Sequence, residues 1–502
     1  MNKRMAGPHL STGIAGMDDI LRGGFPKNCL FLVAGTPGTG KTTLAMQFLM
    51  EGVRQGEQSL YITLSESGSE IATVAETHGW DLSKIHIKEL VPSEQNLSAD
   101  AQLTVFNPSE LELGETTEAM IAAVDEFHPQ RVVIDSLSEI RLIAQNPLRY
   151  RRQILALKQF FGGRDCTVLM LDDRTGGIED DHLQSIAHGV VVLEQLVNQF
   201  GAERRRLRVS KMRGVAFRGG YHDFCIRRGG LDVFPRLVAA EHHADFTEQN
   251  LASGNKELDA LLGGGLPAGT STLLIGPAGT AKSSVATQFA VAAAQKGDRA
   301  ALFIFDENLG TFCLRSEKLG MPVRSLMEKG LITIQQIDPA ELSSGEFTTS
   351  VRRAVTGDDE NGKLAKVVII DSLNGYLNAM PEEKFLTAQL HELLSFLAQQ
   401  GVVSLLTVTQ SGMIGNMTNP VDTTYLADNV ILFRYFEAAG WVRRAISVVK
   451  KRSGKHERTI RELDVGDKGI FIGKPLTGFQ GILTGVPRYI GNQDNLASRS
   501  EE

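Results

Sequence analysis

Residues 35–42 read Gly-Thr-Pro-Gly-Thr-Gly-Lys-Thr, and residues 276–283 read Gly-Pro-Ala-Gly-Thr-Ala-Lys-Ser. The first fits G-x-x-x-x-G-K-[ST]. The second departs from it only at Ala281, where the pattern has glycine. An apolar run, Cys29–Ala34, precedes the first loop, and a helical pattern, Thr42–Gly52, follows it. That strand–loop–helix context is what a phosphate cradle requires. Glycines let backbone N–H groups turn inward, and the helix N-terminus adds its positive dipole end. The expected phosphate contacts are Gly35, Thr36, Gly38, Thr39, Gly40, Lys41, Thr42 and Thr43 in the first loop. In the second they are Gly276, Gly279, Thr280, Ala281, Lys282, Ser283 and Ser284. Lys41 is expected to reach the β- and γ-phosphates. The hydroxyls of Thr42 and Ser283 are expected to ligate Mg²⁺. A right-handed conformation at the helix start would accept the methyl group of Ala281.

Working outward, the loops are parts of a longer repeat. Segments 12–48 and 253–289 align without a gap, and 14 of the 37 positions are identical. Chance would give about two or three at ordinary residue frequencies. The likeness continues through RVVIDSLSEI (131–140) against KVVIIDSLNG (366–375), and RLRVSKMRG (206–214) against AISVVKKRS (445–453). The chain therefore reads as two tandem copies, 1–240 and 241–491, followed by a polar tail, 492–502. In each copy short apolar runs alternate with helical patterns. This predicts an α/β fold with a mostly parallel sheet flanked by helices.

Three further pairs of positions bear on chemistry. Asp135 and Asp371 each end an apolar run and precede Ser-Leu, which suits a Mg²⁺ partner; alone, each would read as a helix cap. Glu66, in Leu-Ser-Glu-Ser, matches Glu307, in Phe-Asp-Glu-Asn, with Ser65 and Asp306 in front of them. A carboxylate there suits a general base, with helix capping as the plain alternative. Lys211 and Arg213, and Lys450 and Arg452, are spaced i, i+2 late in each copy and so share one face of a strand. They suit a phosphate held by a neighbouring subunit, or a surface charge pair.

Composition narrows the partners. Lys plus Arg number 52 and Asp plus Glu 59, for a net charge of −7, so bulk attraction to nucleic acid is not expected. The four cysteines form no CxxC pair, which argues against a zinc site or a disulfide framework. No signal-like or membrane-spanning apolar run is present, and a cytoplasmic protein without a membrane partner is expected.

Together these residues resemble the KaiC family. The resemblance runs over about residues 11–490: two RecA-like copies, each opened by [ST]G-x-x-x-[LM]D-x-x-L-x-GG-[FL]-P, each with a K-x-R strand. It implies a homo-oligomer, a double-ring hexamer with ATP at subunit boundaries, and a regulatory protein partner that no residue pattern identifies. It implies ATP hydrolysis in the first copy and serine/threonine autokinase activity in the second. The family's acceptors are a hydroxyl pair shortly before a T-D-like turn. Counting back from Asp428 places the pair on Thr424 and Tyr425, with Thr423 as substitute for the longer tyrosine. The same stretch also reads as a helix N-terminus. Paired glutamates are usual in the family, whereas this chain has Ser65-Glu66 and Asp306-Glu307. The clock protein's long regulatory tail has no counterpart beyond Ile490, so an oscillator is not expected. A nucleotide-gated scaffold with little turnover stays open because of Ser65 and Ala281. A RecA-like DNA recombinase is opposed by the net charge and the tandem duplication.

Overall fold

The computed structural model describes residues 9–90, 108–173, 181–197, 201–358, 362, 364–378, 386–410, 425–467, 469–483 and 487–490. Two compact units divide the chain, Met1–Arg236 and Leu237–Glu502. Each contains a nine-stranded sheet.

The first sheet is built from β1 (Leu30–Gly35), β2 (Ser59–Thr63), β3 (Ile85–Glu89), β4 (Arg131–Asp135), β5 (Thr167–Asp173), β6 (Gly189–Leu196), β7 (Arg204–Met212), β8 (His222–Arg227) and β9 (Gly230–Phe234). Across the sheet they run β3-β2-β4-β5-β1-β6-β7-β8-β9. The six from β3 to β6 are parallel, and β7 to β9 continue antiparallel. The second unit supplies β10 (Ser271–Gly276), β11 (Arg299–Ile304), β12 (Ile332–Gln336), β13 (Ala365–Asp371), β14 (Val403–Thr409), β15 (Asn429–Ala438), β16 (Trp441–Lys451), β17 (Arg461–Gly466) and β18 (Gly469–Pro475). Their spatial order, β12-β11-β13-β14-β10-β15-β16-β17-β18, repeats that of the first. The expected α/β fold with a mostly parallel sheet is what the chain adopts.

Both faces of the central strands are covered, so their sequences are continuously apolar. In β1, Leu30, Leu32 and Ala34 join one core cluster while Phe31 and Val33 join the other. The motif that opens each copy proves to be a structural clasp. Thr12 Oγ1 donates to Asp18 Oδ1 at 2.7 Å, and Ser253 Oγ donates to Asp259 Oδ1 at 2.8 Å. Among the described residues, no helix is long and apolar enough to cross a membrane.

Candidate functional site

In each unit the central strand ends in the glycine-rich loop. β1 leads through Gly35–Gly40 into α1 (Lys41–Arg54), and β10 leads through Gly276–Ala281 into α2 (Lys282–Gln295). The loop therefore lies at the carboxyl end of a parallel strand, where open α/β sheets bind ligands. Thr39 Oγ1 donates to Thr36 O, and Thr280 Oγ1 donates to Pro277 O, each at 2.8 Å, which pins the two turns alike.

Gly40 closes the first loop with φ +99°, in the left-handed region. Ala281 takes its place in the second with φ +74° and ψ 21°. The expectation of a right-handed Ala281 is corrected here. The loop geometry overrides the side chain's preference, at a cost of about 1–2 kcal/mol for an L residue.

Lys41 is almost fully buried, and its Nζ donates to Gly35 O and Thr36 O, each at 3.0 Å. It also lies 2.6 Å from Asp173 Oδ1, at the end of β5. Lys282 donates to Gly276 O at 2.9 Å and to Pro277 O at 2.7 Å. Burial pulls its pKa down to about 8, against the opposing pull of Asp371.

Thr42 Oγ1 donates to Asp135 Oδ2 at 2.9 Å, so two oxygen donors expected on Mg²⁺ lie side by side. Tyr61, from β2, donates its hydroxyl to the same oxygen at 2.6 Å. Burial pushes the Asp135 carboxyl above the usual carboxylate range, while these two donors act the other way. In the second unit Asp371 accepts instead from Thr407 of β14. Ser283 and Asp371 line a cavity of about 780 Å³ with Lys282, Asp306, Glu307 and Arg315. Thr43 is buried on α1, whereas the Ser284 hydroxyl accepts from Arg315 at 3.0 Å.

Glu66 follows β2, and its Oε2 is buried without a hydrogen-bond partner among the described residues. Burial, followed by repulsion from Asp135, Glu70 and Asp173, raises its pKa. Glu307 is placed alike but is held by Arg315 at 2.8 and 3.3 Å. Asp306 accepts the Ser372 hydroxyl.

Lys211 and Arg213 both reach Ser185 O, at 3.3 and 2.7 Å, and Lys211 also binds Ala187 O. Lys450 donates to Ala427 O at 2.7 Å, and Arg452 pairs with Asp428 at 3.0 Å. These cations lie away from their own loops. Met212 sits opposite Gly189, and Gly189 beside Phe31, four residues before Gly35. At strand rise that is about 13 Å from the loop. Thr423 and Thr424 lie outside the described residues; Tyr425 lies in a turn and is 58% exposed.

The sequence profile of the KaiC ATPase family matches residues 10–238 and 251–477. The chain belongs to the KaiC ATPase family. It is 27% identical to the circadian clock protein KaiC3 of Synechocystis, over 97% of this chain and 95% of that protein. It is 28% identical to the circadian clock oscillator protein KaiC of Thermostichus vulcanus, over 96% and 92% respectively. To the KaiC of Acaryochloris marina it is 27% identical, over 95% and 90%. The KaiC resemblance read from the motifs is thus borne out along both copies.

Three polar residues at the sites had escaped the sequence reading: Tyr61, Asp173 and Arg315. Tyr61 stands between Leu60 and Ile62, and a hydroxyl in such an apolar run is the signal that would have found it; Asp173 follows Asp172 at the end of the apolar run Val168–Leu171, where a strand-end acid is the signal. Arg315 lies on a helix face, where cations are ordinary.

Proposed function

We propose that both units bind and hydrolyse ATP, and that the second also transfers phosphate to hydroxyls of its own chain. The observation that carries the first part is the repeated set of loop, buried lysine and strand-end carboxylate. Backbone N–H groups and Lys41 or Lys282 would hold the phosphates. Glu66, with a carboxylate oxygen that has no partner among the described residues, would take the proton of the attacking water in the first unit.

Mg²⁺ fits the donors present. Thr42 and Asp135 offer hard oxygen ligands 2.9 Å apart, and the half-buried Asp173 and Glu66 lie close enough to the buried Asp135 to repel it. When bound, the ion would neutralise charge on the phosphoryl oxygens. Ser283 and Asp371 would hold its counterpart.

A ring, proposed as a hexamer, accounts for the late-strand cations. Lys211, Arg213, Lys450 and Arg452 lie at the wrong end of their own sheets to serve their own loops. A head-to-tail contact would bring them to a neighbour's phosphates.

Autokinase activity is the finer reading, with Thr423, Thr424 and Tyr425 as candidate acceptors. Incubation with Mg-ATP followed by intact-mass measurement and site mapping tests it. Phosphate within 423–425, lost in Lys282→Ala, is the expected result. ATP hydrolysis with no added phosphate would reduce the function to an ATPase. Nucleotide binding without turnover would leave a nucleotide-gated scaffold.

A further inference from the structure

The two units differ around their matched glutamates. Eight residues after Glu307 comes Arg315; eight after Glu66 comes Val74. Both lie on the helix that follows the acid, Leu309–Lys318 in one unit and Gly68–His78 in the other. Arg315 Nη2 is 2.8 Å from Glu307 Oε2, and its Nε reaches Glu307 Oε1 at 3.3 Å. Its remaining Nη1 donates to Ser284 Oγ, on the helix that starts at Lys282. One guanidinium thus grips both carboxylate oxygens and anchors the pair to the phosphate-loop helix. Such a fork fixes a carboxylate in place and engages both of its oxygens. Asp306 and Glu307 both line the cavity. Among the described residues of the first unit, Glu66 has no such cation beside it, and one oxygen is unpartnered.

We propose that Arg315 is a positioning residue that removes Glu307 from proton chemistry in the second unit and leaves proton acceptance there to Asp306. Arg315 also cancels the Glu307 charge beside the space for the phosphates. This rests on reading that cavity as an ATP site. The two units then differ in which acid works: a glutamate on water in the first, an aspartate, shorter by one methylene, in the second. The shorter reach leaves more room at that position for an incoming side-chain hydroxyl.

The test uses the full chain carrying Lys41→Ala, so that only the second loop is competent, with Mg²⁺ and N-methylanthraniloyl-ATP as the probe. Arg315→Val is expected to weaken probe binding about tenfold, because a half-buried carboxylate is left uncompensated beside the triphosphate. Arg315→Val with Glu307→Gln is expected to restore binding to within about threefold, and Arg315→Lys to lose less than Arg315→Val. The pH–rate profile of Arg315→Val should gain an acid limb that Glu307→Gln removes. Binding that stays as weak in the double variant as in Arg315→Val overturns the proposal, since Arg315 would then be contacting nucleotide itself. Unchanged binding in Arg315→Val overturns it equally. If the Lys41→Ala and Lys282→Ala chains both bind the probe yet release no phosphate, the ATPase reading fails, and the binding comparison still decides the role of Arg315.

Discussion

Lys41 Nζ lies 2.6 Å from Asp173 Oδ1, so the lysine of the first phosphate loop is already engaged by an acid. Asp173 stands beside Gly35 in the sheet register; in the second unit Thr409 stands beside Gly276. Among the described residues, incoming phosphates compete with such a carboxylate in the first unit only. Ser136 and Ser138 also donate to Asp173, at 3.3 and 3.2 Å, and hold it in place. Asp173→Thr in a Lys282→Ala chain should therefore tighten nucleotide binding to the first unit by about fivefold, the scale of a partly exposed charge pair. Equilibrium titration with a fluorescent ATP analogue measures it. Weaker binding in the variant would show that Asp173 assists the nucleotide instead.

The left-handed residue at each helix start gives a paired stability test. Ala281→Gly relieves a strained φ and should stabilise the second unit by about 1 kcal/mol. Gly40→Ala should cost the first unit about 1–2 kcal/mol. There the added Cβ also meets Ile226 Cδ1 at 2.8 Å, which the isoleucine end must yield to accommodate. Thermal unfolding of the nucleotide-free variants reads both. An Ala281→Gly protein less stable than the parent would count against strain at that position.

The repeat made the fold legible, because buried parallel strands announce themselves as apolar runs and the glycine loops mark their carboxyl ends. The ends of β1 shift little: the apolar run Cys29–Ala34 is observed as the strand Leu30–Gly35. Lys41, Asp135 and Glu66 were legible because each occupies a fixed place in the strand–loop–helix pattern. Their partners were not. Asp135 takes its donor from β2 and Asp371 from β14, so equivalent carboxylates are served by residues that do not align. Only three-dimensional adjacency reveals such substitutions. The backbone of Ala281 was misread because a residue's intrinsic preference was weighed without the turn that the loop imposes.

Burial of Lys282 fixes the sign of a pH effect. Its folded pKa of about 8 lies below the value of 10.5 expected when exposed. Between those values the unfolded chain holds more protons than the folded one, so stability of the nucleotide-free second unit rises with pH. At pH 7 the buried charge costs about 3 kcal/mol. Lys282→Met should therefore be more stable than the parent at pH 7, with the gap closing as pH passes from 8 towards 10. Denaturant melts at several pH values check this; a gap that does not change with pH would show that the methionine stabilises by packing alone.

Tyr61 offers the last test, because its hydroxyl touches the Asp135 carboxylate and nothing expected of the nucleotide. The bond, at 2.6 Å, favours the ionised carboxylate, which burial disfavours. Removing a hydrogen bond to a charged group costs about 1.5–3 kcal/mol. Tyr61→Phe should thus make Asp135 harder to ionise and weaken its use as a cation ligand. In a Lys282→Ala chain, Mg-ATP turnover should fall about tenfold on the acid side and recover as pH rises, since deprotonation restores the ligand. Raised Mg²⁺ should also recover it by mass action. Thr42→Ala removes the other donor and should shift the pH profile the same way, without restoration by Mg²⁺, because a ligand oxygen is lost with it. A Tyr61→Phe enzyme with reduced turnover at every pH, insensitive to Mg²⁺, would assign Tyr61 to packing of β2 and not to the charge state of Asp135.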